Sequence, residues 1–161
     1  GLSAESFREG LARGAVGGHY GFAESIHMIA AAVGWDIERF EETREPILAN
    51  VRRETPLIVV EEGQVAGCRH SASAYREGMP VISLVHPQQV VPEAEGVATG
   101  DSIEIRGSPD LHLSGSPEIP GGQGTINLAV NMIPRLLAAA PGLYSMADLP
   151  PPAALLATPP R

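Results

Sequence analysis

Residues 121–150, GGQGTINLAVNMIPRLLAAAPGLYSMADLP, carry the clearest periodic pattern in the chain and decide how the rest of it is interpreted. Apolar residues recur there every three or four positions, at Leu128, Ala129, Met132, Ile133, Leu136, Leu137 and Ala140. This spacing predicts a helix with one buried face. The glycines at positions 121, 122 and 124 predict a loop before it, where a backbone or a ligand can approach helix amides that lack partners. Pro141 and Gly142 end the predicted helix.

One side of this predicted helix carries a line of polar residues. Asn127, Asn131 and Arg135 are four positions apart, so they stack on one side and face either a ligand or the strands of a neighbouring sheet. Thr125 stands where the predicted loop meets the helix, so its hydroxyl either caps the helix or contacts a ligand. Pro134 removes one helical hydrogen-bond donor and should kink the helix.

The composition indicates one globular domain and narrows its partners. A chain of 161 residues can bury a sizeable core. It contains no lysine and has a net charge of −8, which argues against nucleic acid and anionic membranes as partners. Its single cysteine, Cys68, excludes an internal disulfide and favours a reducing cytoplasm. We find no signal peptide and no apolar run long enough to span a bilayer, and the opening segment suggests a fragment of something longer.

Three helices are predicted in the first third of the chain. Residues 3–13 suit a short helix behind Ser3, and the apolar spacing from Phe22 to Val33 suits a second one, which Gly34 ends. Residues 36–51 are interpreted as a third helix with a break at Pro46. Its solvated face would hold the acidic residues Glu38, Glu41, Glu42 and Glu45.

Strands follow from residue 57 onward. The segments LIVV, QVAGCRHSASAY and PVISLVHP are separated by turns and predict an antiparallel meander, and DSIEIRG and LHLSG predict two more strands. With helices before and after them, the fold class is α+β, an antiparallel or mixed sheet covered by helices with no Rossmann unit. Residues 151–161 predict a proline-rich mobile tail.

A few side chains in these elements are candidates for chemistry. His19 and Tyr20 lie in a glycine loop before the second helix, where His19 either contacts a substrate or holds the helix start. Glu24 suits a capping role in that first turn. His70 and His86 should lie opposite one another on paired strands, but no third metal ligand has suitable spacing, so we predict no metal site.

Several segments together resemble a known enzyme family. The strand pair from Gly63 to Pro87 is similar to that of dihydrodipicolinate reductases, and the match is carried by Gly63, Val65, Gly67, His70, Gly78, Ile82, Leu84 and His86. The related 2,4-diaminopentanoate dehydrogenases and native amine dehydrogenases resemble the chain more fully. Their motifs match GHYGFAES at 18–25, GW at 34–35, GQVAG at 63–67, the segment 121–131 and PGLYSMADLP at 141–150.

The resemblance implies a substrate-binding and oligomerisation domain over residues 1–150, taken from an oxidoreductase that interconverts an amine with a ketone and ammonia. NAD or NADP would bind a Rossmann domain absent from this chain, so no bound cofactor is expected here and no catalytic residue is assigned. The small-molecule pocket would be lined by His19, Tyr20, Phe22, Glu24, Thr125 and Asn131. We expect a cytoplasmic homodimer or higher oligomer. The alternative is a stand-alone, non-catalytic binding or assembly module derived from such an enzyme.

Overall fold

The computed structural model describes residues 1–17 and 19–154. The chain divides into two compact units, Gly1–Val97 and Ala98–Arg161. Its elements in order are α1 Ala4–Ala12, α2 Phe22–Ala32, β1 Arg39–Leu48, β2 Arg53–Glu54, β3 Val59–Val60, β4 Val65–Arg76, β5 Met79–Gln89, a short 3-10 helix Pro92–Glu95, β6 Asp101–Ile105, β7 Leu111–Gly115 and α3 Gly121–Ala138. The predicted α+β class is confirmed. Most of the predicted mobile tail, residues 155–161, lies outside the described part of the chain.

The first unit is built on a three-stranded antiparallel sheet in the order β1-β4-β5. Helix α2 packs on one face of it because its apolar stripe matches the small residues of the central strand: Phe22 and Ile26 bury against Ala72 and Ala74. Partly buried Ile37, Phe40, Ile82 and Leu84 surround this core. The helix ends as predicted at Gly34, whose φ of 71° suits a residue without a Cβ.

The register of β4 and β5 determines which side chains share a face. The turn between them has two residues, Glu77 and Gly78, both at positive φ. A register shift follows between Ala74 and Tyr75, and His70 therefore lies opposite His86 as predicted. Without this bulge His70 would face Val85, and the two histidines would lie on opposite faces of the sheet.

The prediction of a third helix over residues 36–51 is wrong. That segment forms β1, which pairs along its whole length with β4. Pro46 explains the outcome, because a proline disrupts a helix interior but is tolerated in an edge strand, where a missing amide donor costs little. The prediction that LIVV, residues 57–60, is a strand of the meander is also wrong. Only Val59 and Val60 form a strand, and they pair with β2 outside the main sheet.

A buried ion pair lies beside the small β2–β3 ribbon. Arg53 is only 1% exposed, and its guanidinium donates to Gln89 Oε1, the Val90 carbonyl and Glu95 Oε1 at 2.6–3.2 Å. Glu95 also accepts hydrogen bonds from the backbone and side chain of Asn50. Because these partners satisfy both charged groups, the network ties the 3-10 helix to the end of β5.

The second unit contains the β6–β7 hairpin and α3. The predicted glycine loop is wrong, because the helix begins at Gly121 and the glycines form its first turn. First-turn amides need no partner within the helix, so glycine is tolerated there. The predicted buried face is not formed either, since no residue of α3 is buried and Leu128, Ile133 and Leu136 are each more than 40% exposed.

Candidate functional site

Four rings converge on the sheet face that α2 covers. His70 comes from the middle of β4, His86 lies opposite it on β5, and Phe22 comes from the first turn of α2. Phe22 stacks on His70 with ring centroids 4.3 Å apart and 16° between the planes. His19 completes the group, with its centroid 4.8 Å from Phe22, 5.0 Å from His86 and 6.1 Å from His70. We call these four residues the ring cluster.

The innermost member of the ring cluster is held by an acidic partner. His70 is 1% exposed, and its Nε2 lies 2.7 Å from Oε1 of Glu42 on β1. The same carboxylate oxygen lies 3.1 Å from Nη2 of Arg44. Arg44 is directly opposite His70 in the strand register, so the strand pairing itself brings these groups together.

His19 is the outermost ring, and its surroundings favour the neutral form. Although the residue is exposed as a whole, its ring rests against Phe22 and His86. Partial burial lowers the pKa of His19, and the charge of a protonated His86 lowers that pKa further. His19 is therefore a neutral imidazole at pH 7, with one nitrogen that can accept a hydrogen bond.

An apolar cavity of about 450 Å³ borders the same part of the sheet. Cys68 lines it and lies two residues from His70 along β4, and Gln88 lies two residues from His86 along β5. Other lining residues include Phe7 and Val16. Burial raises the pKa of the Cys68 thiol despite the opposing effect of Arg44, and a thiol with a raised pKa is a poor nucleophile.

The remaining predicted pocket residues differ in their positions. Tyr20 is next to His19 but is 76% exposed, and Glu24 is exposed in the first turn of α2. Thr125 and Asn131 lie on α3 in the second unit. The hydroxyl of Thr125 donates to the carbonyl of Gly121, which closes the first helical turn. A role for these four residues in ligand binding stays a prediction.

Sequence reasoning missed the ring cluster as a unit. His70 and His86 were paired correctly, yet nothing in the local spacing connects them to His19, more than fifty residues earlier in the chain. Glu42 was missed because residues 36–51 were interpreted as a helix, which put this carboxylate on a solvated face. Pro46 was the one signal against that helix, and an edge strand would have put Glu42 and Arg44 on one face.

Three kinds of site are not seen in the described part of the chain. Within residues 1–17 and 19–154, no group of three or more His, Cys, Asp or Glu side chains could hold a metal ion. In the same ranges every strand pairing is antiparallel, so no dinucleotide-binding βαβ unit is present. None of the described helices has the length and hydropathy needed to cross a bilayer.

Comparisons with known proteins agree with this fold and identify a family. Residues 1–160 match the family described as the 2,4-diaminopentanoate dehydrogenase C-terminal domain. The chain is 45% identical over 157 residues to a 2,4-diaminopentanoate dehydrogenase from Acetoanaerobium sticklandii, and the match covers 97% of this chain and 44% of that protein. Among solved structures it is similar to an amine dehydrogenase from Mycobacterium smegmatis, with a TM-score of 0.75 and 24% identity over 95% of this chain and 45% of the other. The chain thus spans less than half the length of these relatives.

Proposed function

The chain belongs to the family of 2,4-diaminopentanoate dehydrogenase C-terminal domains, and from this membership we propose that it is the substrate-binding and dimerisation domain of an NAD(P)-dependent oxidoreductase acting on amines. The complete enzyme would interconvert an amine with a ketone and ammonia. The name of the curated relative supports an amine as the substrate class.

The ring cluster is the structural observation that supports this proposal. An amine is recognised by hydrogen-bond acceptors, and a neutral imidazole offers one beside an aromatic wall. The lowered pKa of His19 keeps that acceptor available at pH 7. A carboxylate or phosphate ligand would instead be favoured by cationic rings, and the net charge of −8 also disfavours an anionic ligand.

In this proposal the residues of the chain bind and orient the substrate. His19 accepts a hydrogen bond from it, Phe22 forms a wall of the pocket, and Tyr20 contributes its exposed ring and hydroxyl at the entrance. Glu24 is a further proposed contact, whereas ligand binding by Thr125 and Asn131 stays a prediction. The apolar cavity beside Cys68 takes the carbon chain of the amine.

The described residues form only antiparallel strand pairs, which are not the parallel strands that hold a dinucleotide in a Rossmann domain. NAD or NADP would bind a Rossmann domain outside this chain and accept hydride there, and the 161-residue chain alone would be inactive. The exposed apolar residues of α3 support association with a second copy, which would bury Leu128, Ile133 and Leu136.

A histidine substitution tests this function in the complete enzyme that we propose, in which this chain is joined to a Rossmann domain. We expect His19→Ala to lower kcat/KM for amine oxidation by roughly tenfold, because one hydrogen bond to the substrate is lost. His27→Ala is the matched control, since His27 lies on α2, forms a hydrogen bond with the carbonyl of Ala23 and is not part of the ring cluster. If His19→Ala folds normally and its kinetics are unchanged, His19 does not bind the substrate and only holds the start of α2. Failure of the wild type to reduce NAD or NADP with any primary amine would favour the non-catalytic module.

A further inference from the structure

His70 has one ring nitrogen with a partner and one without. Its Nε2 contacts Glu42, whereas its Nδ1 is buried and has no hydrogen-bond partner among the residues that the structure describes. A buried polar atom loses its hydrogen bonds to water, so native proteins rarely keep one without a ligand or a bound water to satisfy it. The position of this atom within the ring cluster makes it a candidate binding point.

The contact with Glu42 decides what kind of group Nδ1 can receive. An ionised carboxylate only accepts hydrogen bonds, so we place the hydrogen shared with Glu42 on Nε2 of His70. Arg44 forms an ion pair with the same carboxylate oxygen at 3.1 Å, as expected for an ionised, hydrogen-bond-accepting Glu42. In a neutral ring with hydrogen on Nε2, Nδ1 keeps its lone pair and accepts a hydrogen bond from an N–H or O–H group.

We propose that Nδ1 of His70, held as an acceptor by Glu42, binds the nitrogen of the substrate amine or of ammonia through an N–H hydrogen bond. The proposal rests on the proposed function, from which it takes the amine, and it adds a residue to the pocket. Phe22 stacks on one face of the His70 ring and the His19 ring centroid lies 6.1 Å from that of His70, so we take the donor to be a compact group. Ammonia or a terminal amino group meets that condition.

Nuclear magnetic resonance on the full chain tests the state and the partner of Nδ1. Ring nitrogens are observed by long-range ¹H–¹⁵N correlation while methylamine, which donates N–H, or tetramethylammonium, which has no N–H, is added. We expect a bare Nδ1 on His70 whose shift changes saturably with methylamine and not with tetramethylammonium. Exposed His112 on β7 is the internal control and should not respond. A protonated Nδ1, or a response to neither or both probes, would overturn the proposal and leave a fixed water as the partner.

Two isosteric substitutions in the longer enzyme separate Nδ1 from Nε2. His70→Gln keeps an amide near Nε2 for Glu42 but has nothing at Nδ1, whereas His70→Asn places an amide oxygen near Nδ1 and loses the contact with Glu42. We expect His70→Gln to raise KM for ammonia roughly tenfold and KM for the ketone by less than about twofold, with a smaller effect for His70→Asn. The reverse order would overturn the proposal, because the contact with Glu42 would then be what matters.

The outcomes distinguish this proposal from the proposed function. A saturable methylamine response at His70 in a protein that oxidises no amine would refute the enzyme function and retain the binding point. Amine oxidation without any response at Nδ1 would refute the binding point and retain the enzyme function.

Discussion

At the scale of single residues, the protonation of His19 depends on its neighbour His86. Burial is the larger cause of the lowered pKa of His19, and the charge on His86 is the second. We predict that His86→Gln raises the pKa of His19 part of the way back to 6.5, since only the second cause is removed. An NMR titration of the His19 ring in wild type and variant measures this.

The matched control for that titration is His112→Gln, which removes a histidine from β7 in the other unit. It should leave the His19 titration unchanged. The lowered pKa of His19 in the folded protein also affects stability. The contribution of neutral His19 to the free energy of unfolding is fully present above pH 6.5 and is lost as the pH falls through the pKa of His19 in the folded state. An unchanged His19 titration in His86→Gln would show that the two rings are not coupled.

Glu95 should control stability in acid. Hydrogen bonds from Arg53, and then from Asn50, lower the pKa of the Glu95 carboxyl from 4.5 to about 2. The stabilisation is therefore complete above pH 4.5 and is lost as the pH falls towards about 2. We predict that Glu95→Gln lowers the urea midpoint at neutral pH and reduces its dependence on pH within that window. Exposed Glu93 lies in the same 3-10 helix, so Glu93→Gln is the control and should behave like wild type.

At the scale of secondary structure, helix α2 offers a test of which face holds the fold together. Ile26 is fully buried against the sheet, whereas Ile29 on the same helix is 39% exposed. We predict that Ile26→Ala lowers the free energy of unfolding by about 3 kcal/mol and Ile29→Ala by less than about 1 kcal/mol. Chemical denaturation of both variants measures the difference. Equal losses would mean that the outer face of α2 is also covered in solution.

The same elements show how far sequence reasoning reaches. Helices α1 and α2 could be predicted because local signals agree: Ser3 accepts a hydrogen bond from the Ser6 amide as the N-cap, and Gly34 ends α2 at positive φ. The β4–β5 pairing could be predicted from its turn. The strand β1 could not, because its apolar residues Phe40 and Ile47 also fit helical spacing, and only pairing with a distant strand decided between the two.

The candidate site was harder to predict than the fold for the same reason. His19 and Phe22 could be singled out from their position beside a glycine loop, as part of one short segment. Their contacts with His70 and His86 depend on α2 packing across the sheet and on a one-residue bulge, neither of which has a local signature. The contact of Glu42 with His70 could not be predicted while residues 36–51 were interpreted as a helix, because it depends on β1 being a strand paired with β4.

At the scale of the whole molecule, we propose that this chain binds the substrate and a separate Rossmann domain binds the cofactor, which leads to a prediction about cofactor binding. A dinucleotide site of the Rossmann type needs parallel strands joined by a helix, with the pyrophosphate at the helix N-terminus. Residues 1–17 and 19–154 contain only antiparallel pairings, and a net charge of −8 disfavours an anionic cofactor. We therefore expect no saturable heat when NADH or NADPH is titrated into the 161-residue chain by calorimetry, and binding when the longer protein is titrated. Saturable binding to the 161-residue chain at micromolar concentration would contradict this, because the chain would then hold a dinucleotide site of another kind.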